Sequence, residues 1–454
     1  MHAGHEHRGQ FSSKLGFIFA AAGSAIGLGN IWRFPYITGQ NGGAAFVVIY
    51  LLAVALICLP YLFGELALGR RTQRNPVGAI QAIRPNSPWV GVGALGVITG
   101  FFILSYYGVI AGWTFGYIFK TLFHNTVPFE SFIANPWLAV PLLGLFLLFT
   151  VLVVYGGIQN GIERWSKILM PLLLFLILLL IVRSVTLPGA SKGLVFYLQP
   201  DFSKINGQVI LAALGQAFFS LSLGMGAMVT YGSYLSKKDN MVTSGVSVAI
   251  FDTSIALLAG LMIFPALFAL GEAPDAGPKL VFITLPKIFA QLPFGTIIGA
   301  AFFLLLSIAA LTSTISLLEV AVSYLVDEKR KPRKIAVWMV GGATFLLGVP
   351  SALSQGAVAS LSELSFFKGK SFLDLMDFIW GNVSLALGAL MLSLFIGWVW
   401  GIDRALEEIN EGSGFMNRSL PGLSITYGKL WGIFIKYITP IIIAVVLLNV
   451  FQSF

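Results

Sequence analysis

Charge is scarce in this sequence. Asp, Glu, Lys and Arg make up 10% of its 454 residues, where a soluble domain carries about 25%. Soluble chains of such length also split into smaller cores, which could not hide a composition that is 57% hydrophobic. Lipid is the solvent this composition requires. Cysteine is nearly absent: Cys58 stands alone in an apolar run, which excludes a disulfide framework and a thiolate metal site. Histidine is equally sparse, and His2, His5 and His7 all lie in the polar first ten residues, which read as a tail. That tail lacks an apolar centre, and the run after it is too long for a signal peptide. No His-Glu-x-x-His zinc motif occurs. No nucleophile–base pair has a local signature either, so an enzyme could arise only from residues distant in sequence.

What the chain does have is long apolar runs. Eleven stretches of roughly 20 residues or more, enough to cross a hydrocarbon core as helix, fall near 11–37, 42–68, 90–120, 136–156, 161–184, 207–235, 241–270, 295–326, 335–354, 374–402 and 430–453. A barrel would need short alternating segments instead. The reading is an all-α polytopic membrane protein of a plasma or inner membrane. The net charge of +9 does not point to nucleic acid. With the N-terminus cytoplasmic, 19 of the 28 basic residues fall inside, including the run from Lys329 to Lys334, as the positive-inside rule asks. The odd number of spans then puts Phe454 outside. The loop at 403–429, with Asp403, Arg404, Glu407, Glu408 and Glu411, reads as a solvated helix.

Two runs contain breaks. The first carries Gly23-Ser24-Ala25-Ile26-Gly27-Leu28-Gly29-Asn30, poor helix material because each Gly costs about 1 kcal/mol relative to Ala. The sixth carries Phe219-Ser220-Leu221-Ser222-Leu223-Gly224-Met225-Gly226. Small residues alone could mean close helix packing. Breaks at corresponding positions of two five-helix halves point instead to a transporter with inverted repeats. These halves are about 11–184 and 207–402; residues 1–10 are the tail and 403–454 the inner loop and eleventh helix. An unwound turn frees carbonyls for a hard cation and amides for a carboxylate. Such backbone survives in a membrane only where it lines a buried cavity.

The stretch from Gly23 to Tyr36 closely resembles the first-helix signature of the neurotransmitter:sodium symporters. Asn41-Gly42-Gly43-Ala44-Ala45-Phe46, Ser105-Tyr106-Tyr107, Gly161-Ile162-Glu163-Arg164-Trp165, the sixth-run break, Leu311-Thr312-Ser313-Thr314 and Asp374 to Trp380 continue the match in order. The resemblance covers all eleven runs. It is similar to bacterial members that carry hydrophobic amino acids, and it departs from the common twelve-helix form.

The resemblance implies two sodium ions. The first would take the Ala25 carbonyl, Asn30, Ser220, the substrate carboxylate and, if the seventh helix is aligned on Gly260, Asp252. The second would take carbonyls of Gly23, Ile26 and Ala309 with the hydroxyls of Thr312 and Ser313. The substrate carboxylate would meet the Leu28 and Gly29 amides and Tyr107, and its ammonium the Ala25 and Phe219 carbonyls near Ser222. Ser24, Ile103, Phe219, Met225 and Leu317 would line a mainly apolar side-chain pocket. Related carriers of biogenic amines place an aspartate at the position of Gly27; a glycine favours a substrate with its own carboxylate. Chloride-dependent relatives use chloride as countercharge where Asp252 would stand, so chloride is not expected.

Ionisable groups within a membrane are functional candidates. By resemblance, Arg33, Asp377 and Gln216 form an outer gate and Arg8, Asp327 and Tyr234 an inner one, though Arg8 and Asp327 also suit ordinary interfacial charges. Glu65 is a candidate to accept bonds from the sixth-run amides; Glu319 is either a structural acceptor or a protonatable group. Gly161 and Pro171 frame either a static kink or a segment that unwinds. The function implied is sodium-coupled symport of an amino acid, hydrophobic by its pocket, with a non-transporting sensor or channel as the alternative. Oligomeric state is not legible.

Overall fold

The computed structural model describes residues 9–274, 280–422 and 424–452. Among them, nine helices are long and apolar enough to cross a membrane. These are α2 (Ala44–Thr72), α3 (Val90–Leu122), α4 (Pro136–Tyr155), α5 (Ile158–Val185), α7 (Met241–Ala269), α8 (Gly295–Asp327), α9 (Arg333–Leu353), α10 (Phe372–Asn410) and α11 (Tyr427–Gln452). A bent pair, α1a (Lys14–Ala25) and α1b (Gly29–Gln40), makes a tenth span with a 53° turn. Two shorter pieces, α6a (Gly207–Ser220) and α6b (Ala227–Gly232), occupy the sixth apolar run.

The breaks fall where the small residues are. Ile26 is extended at φ −70° and ψ 109°, so α1a ends there and the chain restarts at a new angle. Between α6a and α6b, Ser222, Gly224 and Gly226 all have positive φ (53°, 83° and 75°). A side chain on Gly224 would also lie 2.6 Å from the Leu385 carbonyl. Glycine there satisfies both the left-handed backbone and the close approach of α10.

Packing places the breaks at the centre. α1a lies against α5, α7 and α8, while α6a and α6b pack along α2. α3 and α8 run beside each other and form the opposite wall. The most apolar window of α8 is 83% buried and that of α11 only 22%, so α8 is a core element and α11 a peripheral one. Lipid-facing side chains such as Leu152, Phe175, Leu179, Val182, Ile441 and Leu448 stay exposed.

One expectation changes. The 403–429 segment is not simply solvated: Glu408, in the last turn of α10, and Arg70 are both fully buried and pair at 2.7 Å. Arg70 also donates to the carbonyls of Glu408 and Asp239, so this segment is bolted to the end of α2. α5 is wound through Pro171, and its irregular, wider turns lie earlier, at Ile158–Glu163. Gly161 is needed there because a Cβ would lie 2.1 Å from the Val153 carbonyl.

Candidate functional site

The two breaks meet. Ser222 Oγ donates to the Ser24 carbonyl at 2.9 Å, stitching the unwound turns together. Beside this stitch, Asn30 is fully buried and its Nδ2 donates to Ser220 Oγ (3.0 Å), the Asp252 carbonyl (3.1 Å) and Asp252 Oδ1 (2.7 Å). Ser220 donates to Asp252 Oδ2 at 2.8 Å. The Asn30 Oδ1 accepts from the Gly27 amide at 3.1 Å. Asp252 is fully buried, and among the described residues no Lys or Arg lies within 4.0 Å of it. A buried carboxylate with only neutral partners is expensive, and a cation joining these oxygens would relieve that cost.

A second group of oxygens lies where α1a faces α8. Thr312 Oγ1 approaches the carbonyls of Ala309 (3.0 Å) and Ile26 (3.4 Å). Ser313 Oγ approaches Ile26 (3.2 Å), Ala309 (3.3 Å) and Ser24 (3.4 Å). Gly23 sits against Thr312, where an added Cβ would be 3.2 Å from the threonine Cβ. No cluster of three His, Cys, Asp or Glu side chains exists among the described residues. Any cation held here would rest on carbonyls and hydroxyls, the hard donors suited to an alkali ion.

Between these groups is a cavity of about 30 Å³ lined by Ser24, Ala25, Gly27, Gly29, Ile103, Tyr107, Phe219, Ser222, Met225, Ser313, Leu317 and Leu385. Tyr107 accepts a bond from the Leu28 amide at 3.0 Å. Leu28 and Ser220 adjoin this cavity without lining it. Leu385 joins the wall unforeseen, because an α10 leucine carries no local signal. Gly27 has a steric reason to be glycine as well: a Cβ would lie 2.5 Å from Ser313 Oγ and 2.9 Å from the Tyr107 hydroxyl.

Above Phe219 opens a much larger cavity of about 660 Å³, with Arg33 and Asp377 on its walls. These two do not pair: among the described residues no carboxylate lies within 4.0 Å of Arg33. Arg33 donates to Gln216 at 2.9 Å and lies 4.7 Å above the Phe219 ring. Asp377 is instead engaged by Tyr106 at 3.0 Å and Asn382 at 3.1 Å. Tyr106 was readable in the Ser105-Tyr106-Tyr107 motif, yet its partner was not. Gln216 also donates to the Gly29 carbonyl at 2.9 Å.

At the other end, Asp327 accepts from the Asn75 amide and side chain at 3.0 and 3.1 Å. Tyr234 donates to Glu319 at 2.6 Å, and Arg333 pairs with the same carboxylate. Glu319 therefore has structural partners. Arg8 lies outside the described residues. Glu65 accepts from the Gly224 amide at 2.9 Å, holding the α6 break open as expected. Glu163, missed as a site residue, accepts from the Ser12 amide and hydroxyl (both 2.7 Å), from Ser13 (2.9 Å) and from Lys167 (2.6 Å). It ties the start of α1a to α5.

Compared with known proteins, the sequence matches a model of the sodium:neurotransmitter symporter family over residues 8–140 and 137–454. The chain belongs to that family. It is 43% identical over 449 residues to the sodium-dependent transporter YhdH of Bacillus subtilis, covering 97% of each chain. The sodium- and chloride-dependent GABA transporter 2 of Rattus norvegicus is 28% identical over 90% of this chain and 76% of its own. The crystal structure of MhsT in complex with L-phenylalanine superposes with a TM-score of 0.87 at 46% identity, covering 98% of this chain and 100% of that one. This symporter is thus a multi-pass, all-α membrane protein of the inverted-repeat transporter fold, with α1 and α6 broken and α11 added.

Proposed function

We propose that this symporter couples sodium entry to uptake of an amino acid with a hydrophobic side chain, by alternating access. The observation that carries this reading is the buried Asp252 carboxylate beside Asn30 and Ser220, a fixed negative charge without a basic partner next to an unwound turn. One sodium would bind there with the Ala25 carbonyl. A second would bind among Gly23, Ile26, Ala309, Thr312 and Ser313. The substrate carboxylate would reach the Leu28 and Gly29 amides and Tyr107, and would complete the first sodium's shell. The ammonium group would meet the Ala25 and Phe219 carbonyls near Ser222. Ser24, Ile103, Met225 and Leu317 would surround the side chain. The apolar lining and the L-phenylalanine in complex with MhsT both support a hydrophobic substrate.

Asp252 would balance the first sodium without chloride, unlike the relative that needs it. Arg33, Gln216 and Asp377 would close the outer side, and Arg8, Asp327 and Tyr234 the inner side. The N-terminus faces the cytoplasm in this reading. The test is uptake into proteoliposomes of labelled phenylalanine, leucine, tryptophan, alanine, glycine and GABA. Each is measured with sodium, potassium or a proton gradient as the sole driving force. Concentrative uptake of the hydrophobic members with sodium alone is expected. Sodium-dependent binding without accumulation would favour a sensor or channel and overturn the transport reading.

A further inference from the structure

The end of the molecule that the charge bias assigns to the cytoplasm holds a cavity of about 470 Å³, far from the two breaks. Arg71 and Thr72 at the end of α2 line it with Arg74, followed by Ala82 and Ile83 around the short helix Pro76–Ile83. Trp400 and Arg404 near the end of α10 complete it. Three of the lining side chains are therefore guanidinium groups, brought together from the end of α2 and the end of α10.

Little nearby charge opposes them. Arg71 makes only loose contacts to Glu407 (3.9 Å) and Glu408 (3.7 Å). Glu408 is already engaged by Arg70 and Lys237, each at 2.7 Å. Among the described residues, Arg74 and Arg404 have no carboxylate within 4.0 Å. Glu328 flanks the stem of Arg74 across Gly78 but accepts from Asn75 at 2.9 Å. Like charges held together without a counterion repel, so an anion entering the cavity would be attracted by all three.

The surroundings say which anion. The cavity sits where α2 and α10 leave the apolar zone, with Trp400 in its wall. Two residues earlier, Trp398 is 58% exposed on the lipid side with Lys436 over its ring at 4.4 Å. Tryptophan and basic residues at this level mark the interfacial belt. Guanidinium groups match phosphate oxygens in paired hydrogen bonds, and basic pockets between membrane helices on the cytoplasmic side take phospholipid headgroups. We propose that this cavity binds the phosphate of an anionic phospholipid through Arg71, Arg74 and Arg404, clamping the ends of α2 and α10 to each other. The inference rests on the inward orientation of this end and is independent of the transported solute.

The test uses the full chain in phosphatidylcholine nanodiscs containing a minority of phosphatidylglycerol. Spin-labelled phosphatidylglycerol and phosphatidylcholine report the relative affinity for immobilised sites. Each basic group beside a bound anionic headgroup contributes roughly fivefold, an effect that fades within a Debye length. The combined Arg71→Gln, Arg74→Gln, Arg404→Gln variant should lose the preference for phosphatidylglycerol by about tenfold or more. A variant of equal charge loss on the same side, Lys329→Gln, Arg330→Gln, Lys331→Gln, should lose about twofold. If the glutamine variant fails to elute as a folded monodisperse species, the corresponding triple Arg→Lys variant replaces it, keeping charge but losing the paired geometry and several-fold of the preference. Equal losses in the two charge-matched variants, or full preference in the folded Arg→Lys variant, would overturn the site. Displacement of the lipid by millimolar inorganic phosphate would mean that a free anion is the occupant, which also overturns it.

Discussion

Replacing Asp252 with Asn keeps the volume of the first oxygen cluster and removes its charge. The carboxylate accepts from Asn30 at 2.7 Å and from Ser220 at 2.8 Å, and burial is complete. If water screened the site well, the change would cost a cation no more than one charge-assisted contact, about 1.5 kcal/mol. That is roughly tenfold in affinity. If the site stays dry, the lost attraction between unit charges roughly 4 Å apart is about 4 kcal/mol at an effective dielectric of 20. That is on the order of a thousandfold. The sodium midpoint for uptake should therefore rise by between about tenfold and a thousandfold. A mobile anion should then recover part of the loss, so the variant becomes stimulated by chloride while the parent protein ignores its replacement by gluconate. Uptake is measured in proteoliposomes over a sodium titration in each anion, with monodisperse elution showing that the variant is folded. A folded variant with an unchanged sodium midpoint would refute the reasoning. So would a sharp fall of parent uptake in gluconate.

Three further substitutions probe the neighbouring geometry. Gly27→Ala places a Cβ 2.5 Å from Ser313 Oγ and 2.9 Å from the Tyr107 hydroxyl; overpacking of this kind costs about 1–3 kcal/mol. Equilibrium binding of labelled substrate should weaken by roughly five- to 150-fold, and an unchanged affinity would show that the break opens before substrate enters. Phe219→Ala removes the partition between the cavities of about 30 and 660 Å³. A cysteine introduced at Leu317, which lines only the smaller cavity, should then react faster with an impermeant thiol reagent from outside; an equal rate would mean that another group forms the partition. Glu163→Gln removes the charge that receives Ser12, Ser13 and Lys167. Bonds to charged groups contribute about 1.5–3 kcal/mol each, so the amides at the start of α1a should exchange hydrogen at least about tenfold faster. No change in exchange would mean that Glu163 does not hold the start of α1a to α5.

How much of this could be read from sequence depended on range. The breaks were legible because glycine and serine act on their own backbone, and Gly224 and Gly226 take the positive φ that their identity suggests. The spans were legible because lipid acts on every residue of a run. Glu65 could be paired with the α6 break because a lone acid in an apolar run needs freed amides, and it found the Gly224 amide. The bolt between Arg70 and Glu408 could not be foreseen: the two are 338 positions apart, and a mixed-charge segment has the composition of a solvated helix. Leu385 was invisible for the opposite reason, since one leucine among many signals nothing. Arg33 and Asp377 show a third limit. Their identities fit a gate, but whether they touch depends on conformation, and here Gln216, Phe219, Tyr106 and Asn382 hold them apart.

That separation bears on coupling. The cavity between the breaks has its walls assembled, yet its volume of about 30 Å³ is enough for only about two waters. Even a small amino acid must displace Phe219, Met225, Ile103 or Leu317 to enter, so binding and side-chain movement are one event. One of these residues borders the first oxygen cluster: Ser220 directly follows Phe219 on α6a, and the Asn30 amide joins α1b to Ser220 and to Asp252 on α7. A cation drawn to these oxygens would fix the relative positions of three helices, two of which also carry the substrate wall. By linkage, whatever it contributes to substrate affinity the substrate returns to it in equal measure. The tightness of the cavity therefore strengthens the case for coupling, because a loose pocket could fill without the helices that hold the ion being rearranged.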